Sequence, residues 1–120
     1  MSDKIKTGNK GETLAARYFK SKGYEIIARN FRHGRAEIDL IVRKDDWVLF
    51  VEVKTRQSTD FGEPEEFVLP GQVSRIYDAA EEWIFSTDWK GHIRFDIVSV
   101  KLSDDPEGEP EIEHLEDAIN

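Results

Sequence analysis

The 120 residues include 38% hydrophobic and 35% charged side chains, no cysteine, and a formal net charge of −8. That length suits one domain with a core of its own and is too short for two. The composition excludes a disulfide framework and a thiolate metal site. No apolar run approaches the roughly 20 residues of a spanning helix.

Met1–Gly8 lacks the apolar centre of a signal peptide, so a cytoplasmic chain with no membrane partner is expected. The total charge argues against a polyanionic partner, because phosphate binding needs positive surface. Its distribution argues the other way. Residues 1–56 hold 13 Lys/Arg against 8 Asp/Glu, a balance of +5, whereas residues 57–120 hold 4 against 17, a balance of −13. Eight of those acids lie in Ser103–Asn120, which has no Lys or Arg, and the rest of the chain is neutral. A domain at 1–102 with a basic first half, followed by an acidic, partly flexible tail at 103–120, is compatible with binding an anionic polymer.

Met1–Thr7 reads as a loose terminus. Gly8 to about Lys22 has helical spacing, with Leu14, Ala15, Ala16, Tyr18 and Phe19 in an apolar arc. Glu12 falls inside that arc. It is either a carboxylate favoured near a helix N-terminus or one aimed by packing at Asp39 and Glu52 on a neighbouring sheet. Gly23 suits the left-handed residue that closes a helix. Tyr24–Asn30 reads as a strand and Phe31–Arg35 as a turn. Arg29, Arg32, His33 and Arg35 crowd that turn, as solvated surface or as phosphate contacts.

Arg35–Arg56 reads as a β-hairpin, two runs of Ile, Val, Leu and Phe around the polar turn Arg43-Lys44-Asp45-Asp46. Alternation places Glu37, Asp39 and Ile41 on one face of the first strand and Ile38, Leu40 and Val42 on the other. In the second strand Val48, Phe50, Glu52 and Lys54 oppose Leu49, Val51, Val53 and Thr55. Apolar residues on both faces predict a sheet covered on both sides. Gln57–Pro70, with Gly62, Pro64 and Pro70, reads as a loop beside the hairpin. Gly71–Phe85 returns to helical spacing, and Val73, Ile76, Tyr77, Ala80, Trp83 and Ile84 form a core stripe. After a turn at Ser86–Gly91, Ile93–Leu102 alternates as a strand in which Asp96, among apolar neighbours, reads as a paired carboxylate. Pro106 and Pro110 interrupt the tail, and Ile112–Leu115 can add a short edge strand.

Asp39, Glu52 and Lys54 break the apolar pattern of the hairpin. Charged side chains go inside only when paired or holding a metal. Mg²⁺ and Mn²⁺ take hard oxygen ligands, and one or two carboxylates with waters and a substrate phosphate complete such a shell. Asp39 and Glu52 on adjacent strands supply that pair, and the Val53 carbonyl, following a ligand on a strand, can add a third oxygen. Lys54, two residues after Glu52, emerges on the same face and can orient a water or neutralise developing charge. The bland counterpart is a salt-bridged ladder across the strands.

Five segments add a resemblance. Gly11-Glu12, Arg29-Asn30-Phe31-Arg32, Glu37-Ile38-Asp39-Leu40-Ile41, Phe50-Val51-Glu52-Val53-Lys54-Thr55-Arg56 and Arg94-Phe95-Asp96 closely resemble, in order and spacing, the bacterial family often called YraN. The likeness spans roughly residues 8–117. That family looks like a minimal member of the PD-(D/E)XK nuclease superfamily, close in layout to Holliday-junction resolvases. The resemblance implies an α/β fold with a restriction-endonuclease-like α-β-β-β-α-β core, a central mixed sheet flanked by helices, and a Mg²⁺-dependent phosphodiesterase site. By position, Asp39, Glu52 and Glu12 would bind metal and Lys54 would be the catalytic lysine. Glu37, Arg56 and Asp96 would be accessory. The chain departs from the pattern at Ile38, which stands at a nominal proline, at Gln72, where relatives carry lysine, and at its end, which lacks a closing aromatic.

The expected function is a metal-dependent endonuclease acting on DNA, on branched or non-duplex structures, with Arg29, Arg32, Arg35 and Arg56 as nucleic-acid contacts and a homodimer suited to paired cuts. The alternatives are a non-catalytic nucleic-acid-binding module on the same scaffold and a protein-interaction domain using the acidic C-terminal half.

Overall fold

The computed structural model describes residues 3–57 and 70–119. Helix α1 spans Asp3–Ser21, so it begins ahead of the expected Gly8. Nothing between Asp3 and Thr7 is a Gly or Pro, and a helix nucleated further along propagates through such residues. Its other end matches expectation. Gly23 has φ +91°, the Gly23 amide donates to the Lys20 carbonyl and the Tyr24 amide to the Phe19 carbonyl, each at 3.0 Å. That is the paired bonding of a left-handed helix stop.

Strand β1 runs Glu25–His33, three residues beyond the expected Asn30. Phe31, Arg32 and His33 pair with Ile38, Glu37 and Ala36, leaving only Gly34, at φ +62°, and Arg35 to turn the chain. Strand β2 covers Ala36–Lys44 and β3 covers Trp47–Gln57. Lys44 pairs with Trp47, so the hairpin turn is two residues, Asp45 and Asp46. Asp45 takes φ +56°, which aspartate tolerates. The loop expected over Gln57–Pro70 lies outside the described residues except at its two ends. Helix α2 then spans Pro70–Thr87, β4 His92–Leu102 and β5 Glu111–Leu115. Proline at the first helical position loses no bond, since that amide has no intrahelical partner.

The five strands form one mixed sheet in the order β1-β2-β3-β4-β5. All neighbours are antiparallel except β3 and β4, which run parallel with Trp47 beside His92 and Gln57 beside Leu102. This is a mixed α/β fold with a helix on each face. Leu40, Val42, Leu49, Val51, Val53, Val98 and Val100 pack against Ala15, Ala16 and Phe19 of α1. Ile38, Ile41, Val48, Phe50 and Ile97 pack against Ile76, Ala79, Ala80 and Trp83 of α2. Ile38 and Ile41 thus share the α2 face, which corrects the strict alternation expected of β2. The side-chain order shifts by one between Ile38 and Leu40, at Asp39.

Tyr77, expected in the core, is 38% exposed. Its hydroxyl donates to the Ile119 carbonyl at 2.6 Å. Ile119 itself is 2% exposed within the α2-side core, and the Ala118 amide donates to the Phe95 carbonyl. β5 pairs with β4 from Lys101↔Glu111 to Ile97↔Leu115, so the acidic C-terminal segment supplies an edge strand and a buried side chain. No helix of the described residues is long and apolar enough to cross a membrane.

Gly11 sets how closely α1 lies on the sheet. A Cβ there would overlap the Thr55 side chain, with the Thr55 Cβ only 2.7 Å away. Threonine is stiff at χ1 and cannot swing clear. Gly11→Ala is expected to cost about 1–3 kcal/mol in urea unfolding, the usual price of overpacking. Adding Thr55→Ala should recover only part of that, because the Thr55 Cβ remains. A Gly11→Ala chain as stable as the parent would show that α1 is not seated on Thr55.

Candidate active site

The β2–β3 ladder stops at Leu40↔Val51. One residue further, where Asp39 and Glu52 would face each other, the Asp39 side chain takes over. Its Oδ2 accepts the Val53 amide at 2.8 Å. The backbone of β2 is thereby held off β3 by the length of a carboxylate. In an antiparallel pair the N–H and C=O of one residue address the same neighbour, so the Val53 carbonyl also faces this gap. Glu52, which is 7% exposed, lies on the α2 face with Phe50. Lys54 Nζ is 3.3 Å from Glu52 Oε1.

From α2, Gln72 reaches into the same space. Its Nε2 donates to Glu52 Oε1 at 2.7 Å and its Oε1 accepts from Lys54 Nζ at 3.3 Å. One amide satisfies an acid and a cation together, which fixes the direction of both. The sequence marked Gln72 only as a departure from a family pattern. Its role needs the placement of α2 over β3, which no local spacing carries.

On the other side of the gap, α1 delivers Glu12, 9% exposed. Its carboxyl hydrogen-bonds Asp39 and is acted on by the charges of Asp39 and Glu37. Of the two acids that Glu12 was expected to meet, it therefore reaches Asp39. Asn30 ties this half together. With its NH₂ turned toward the acids, it donates to Glu37 Oε1 at 2.9 Å and to Glu12 Oε1 at 2.8 Å. Asn30 holds φ +52° within β1, a conformation that asparagine adopts more readily than most residues. Its role, too, was not read from the sequence. Arg29 donates to Thr13 Oγ1 at 3.2 Å, and its charge favours the ionised form of Glu12.

Burial dominates the electrostatics. It raises Glu52 to about 8, with the Asp39 charge adding to the effect and Lys54 opposing it. Burial also raises Asp39, against the pull of the Val53 amide. That amide favours a charged Asp39, so the shared proton rests on Glu52. Glu12 is pushed to about 7 by burial and then by Asp39 and Glu37. Asp39 is thus drawn on by the Val53 amide, Glu12 and Glu52 at once, and burial disfavours charge on all three acids.

The donor set fits a hard divalent ion of the open kind. Asp39 and Glu52 offer carboxylate oxygens and Val53 a carbonyl, with Glu12 on the flank. Among the described residues no group of three His, Asp or Glu side chains is arranged to hold a metal ion, and Mg²⁺ commonly uses only one or two protein carboxylates.

The remaining candidate residues lie apart. Arg32 Nε is 3.7 Å from Glu37 Oε2 on the surface. Arg35 borders a separate open hollow of about 790 Å³ with Arg75, Asp78 and Glu82, which none of the four central residues lines. Arg56 is half-buried near the end of β3. Asp96 is fully buried and structurally engaged. Arg94 grips it with two bonds of 2.8 Å, His114 Nε2 lies 2.7 Å from Oδ2, and the Asp117 amide donates to Oδ1 at 3.0 Å. These donors hold its pKa down despite burial.

Glu12 and Glu52 sit above their ordinary value of 4.5. The folded chain therefore keeps protons that the unfolded chain has released, and stability falls as pH rises from 4.5 toward 8. Glu52→Gln keeps the shape and removes one such group. In EDTA it should melt higher than the parent at pH 8, by roughly 4 °C, with a flatter decline between pH 5 and pH 8. A variant melting at or below the parent at pH 8 would show that the buried acid is not a cost.

Comparison with known proteins bears on the whole chain. A 42% identical UPF0102 protein from Rhodococcus opacus covers 99% of this chain and 100% of its own length. A second, from Flavobacterium psychrophilum, is 40% identical over 99% of this chain and 98% of its own. A third, from Solibacter usitatus, is 46% identical over 93% and 84% respectively. The family model for UPF0102 matches residues 11–100, a span that contains Glu12, Asn30, Asp39, Glu52, Lys54 and Gln72. By that match and those relatives, the chain belongs to the uncharacterised protein family UPF0102.

Proposed function

We propose that this chain is a metal-dependent nuclease that hydrolyses DNA phosphodiester bonds, with branched or non-duplex structures as its substrates. One observation carries the reading. Two carboxylates, the buried Glu52 and the half-buried Asp39, border a gap in the sheet, and the Lys54 Nζ stands 3.3 Å from Glu52. A structural salt bridge would need neither the broken ladder nor the second acid. The element order α1-β1-β2-β3-α2-β4 also matches the layout that the PD-(D/E)XK resemblance implies.

Mg²⁺ or Mn²⁺ bound by Asp39, Glu52 and the Val53 carbonyl would supply Lewis-acid activation of water and neutralisation of phosphate charge. Asp39, steered by the Val53 amide, presents its free oxygen to the gap. Glu52 would become a ligand only on giving up its proton, which burial holds in place and a bound cation would displace. Lys54, beside Glu52, offers its N–H bonds to the charge that develops on the phosphate. Gln72 limits where Lys54 can point. Glu12, at the α1 side and near neutrality, can take or give a proton at the rim of the gap. A homodimer would present two such sites for paired cuts.

Labelled single-stranded, duplex, flap and four-way-junction DNAs, incubated with EDTA, Mg²⁺ or Mn²⁺, test the reading. Metal-dependent cutting is expected, lost in Asp39→Asn and in the Asp39→Asn/Glu52→Gln double variant while their folds persist. Undiminished cutting by Asp39→Asn overturns the assignment. Mg²⁺ should also raise the melting temperature of the parent and not of the double variant, since only a binding-competent native state is stabilised. Gln72→Leu is expected to lower turnover about tenfold, the usual scale for a residue that orients a ligand, without weakening retention of DNA. Unchanged turnover in that variant would remove Gln72 from the machinery.

A further inference from the structure

The outward face of α1 has a charge pattern that its fold does not use. Lys10, Thr13, Arg17 and Lys20 follow one another at helical spacing on the side away from the sheet, and all but the half-buried Thr13 are exposed. The acid among residues 9–22 is Glu12, which points inward and is buried. Exposed helices in solvent commonly interleave acids and bases three or four positions apart, because each such pair is mildly stabilising and like charges repel. This face does the opposite.

Its cations are also unspent. Several positive groups elsewhere are engaged: Arg94 with Asp96, Arg32 with Glu37, Lys54 with Glu52, Lys90 with Asp88. Lys22 and Lys44, at the foot of α1, lie over the Tyr18 and Tyr24 rings. Among the described residues, the side chains of Lys10, Arg17 and Lys20 make no ion pair or hydrogen bond. In a chain of net charge −8, three such cations on one stripe form a local positive surface against an acidic remainder.

We propose that the outer face of α1 docks the sugar-phosphate backbone of double-helical DNA and leads it to the acidic gap. This rests on the nuclease reading for its purpose, though not for its geometry. Lys10 and Lys20 are ten residues apart, about 15 Å along the helix, a span of roughly four steps of duplex at about 3.4 Å each. Arg29 joins stripe to gap, because its guanidinium bonds Thr13 and acts on Glu12. The exposed residues of 9–22 are Asn9, Lys10, Arg17, Lys20, Ser21 and Lys22. None is aromatic, so the face has no platform for the unstacked bases of a single strand. None is a large apolar residue, so it has nothing to bury in a lipid bilayer.

The test uses the full chain in EDTA, where no cutting occurs, and reads binding by fluorescence anisotropy over a salt series. Ligands are a labelled duplex, a labelled single strand of equal length, and vesicles rich in phosphatidylserine. Lys10→Glu/Arg17→Glu/Lys20→Glu is compared with Arg75→Glu/Lys90→Glu/Lys101→Glu, which changes net charge equally on other elements. Thermal melting confirms that both triples fold. The α1 triple should bind duplex at least tenfold more weakly than the control triple. Its slope of log K against log salt should be shallower by about 2 to 3, at roughly 0.9 for each phosphate no longer neutralised. Equal losses in the two triples, or duplex binding unchanged by the α1 triple, overturn the proposal. So does α1-dependent binding confined to single strands or to vesicles, or no polyanion binding by the parent. Retained duplex docking in a chain that cuts nothing with Mg²⁺ or Mn²⁺ would uphold the docking face and remove the nuclease reading.

Discussion

The bond from the Val53 amide to Asp39 is the constraint around which the rest of the structure is arranged. A hairpin of this composition would ordinarily zip along its whole length, each backbone amide meeting a carbonyl across the ladder. Here the pairing ends at Leu40↔Val51 and a side-chain carboxylate stands in for a carbonyl. The Val53 amide stays satisfied, so the interruption leaves no orphaned donor. What it leaves is a space between two strands, deep in the sheet, with an acid on either side. The shift in β2 that puts both Ile38 and Ile41 toward α2 is the same event seen from the core.

The helices act on this space in different ways. α1 comes close because Gly11 offers no side chain to Thr55, and the next residue, Glu12, is thereby pressed against Asp39. α2 contributes through reach: Gln72 crosses to Glu52 and Lys54 and gives each a partner. Burial on both faces is what lifts Glu12 and Glu52 toward and above neutrality. An apolar cover that stabilises the fold also disfavours charge on the acids beneath it, and both effects come from the same packing.

Much of this was legible in the letters. Alternation in β3, the helix stop at Gly23 and the two-sided cover all follow from short-range pattern, and Asp39, Glu52 and Lys54 stood out because they interrupt it. Element ends were less legible. α1 started early because nothing in Asp3–Thr7 opposes helix, and β1 ran on to His33 because its partner Ala36–Ile38 was there to receive it. Asn30 and Gln72 escaped notice for a deeper reason. Both are uncharged, and their importance lies wholly in which acids the tertiary structure brings to their amides. Asp96 showed the converse: a buried acid legible as paired, whose partners Arg94 and His114 fix it as structural.

The parallel seam between β3 and β4 carries a kinetic consequence. β2 meets β3 across a two-residue turn, whereas Trp47 finds its β4 partner, His92, only 45 residues later. Local hairpins close in about 1–10 μs, while pairings of large sequence separation wait on the loop-closure entropy of the intervening chain. The Asp39–Glu52 gap is therefore framed early, while water still bathes both acids. Their dehydration comes late, when α2 swings over and β4 slots in alongside. The electrostatic penalty of the cleft thus falls after the main nucleus has formed. Acids there hasten the release of the sheet far more than they hinder its formation.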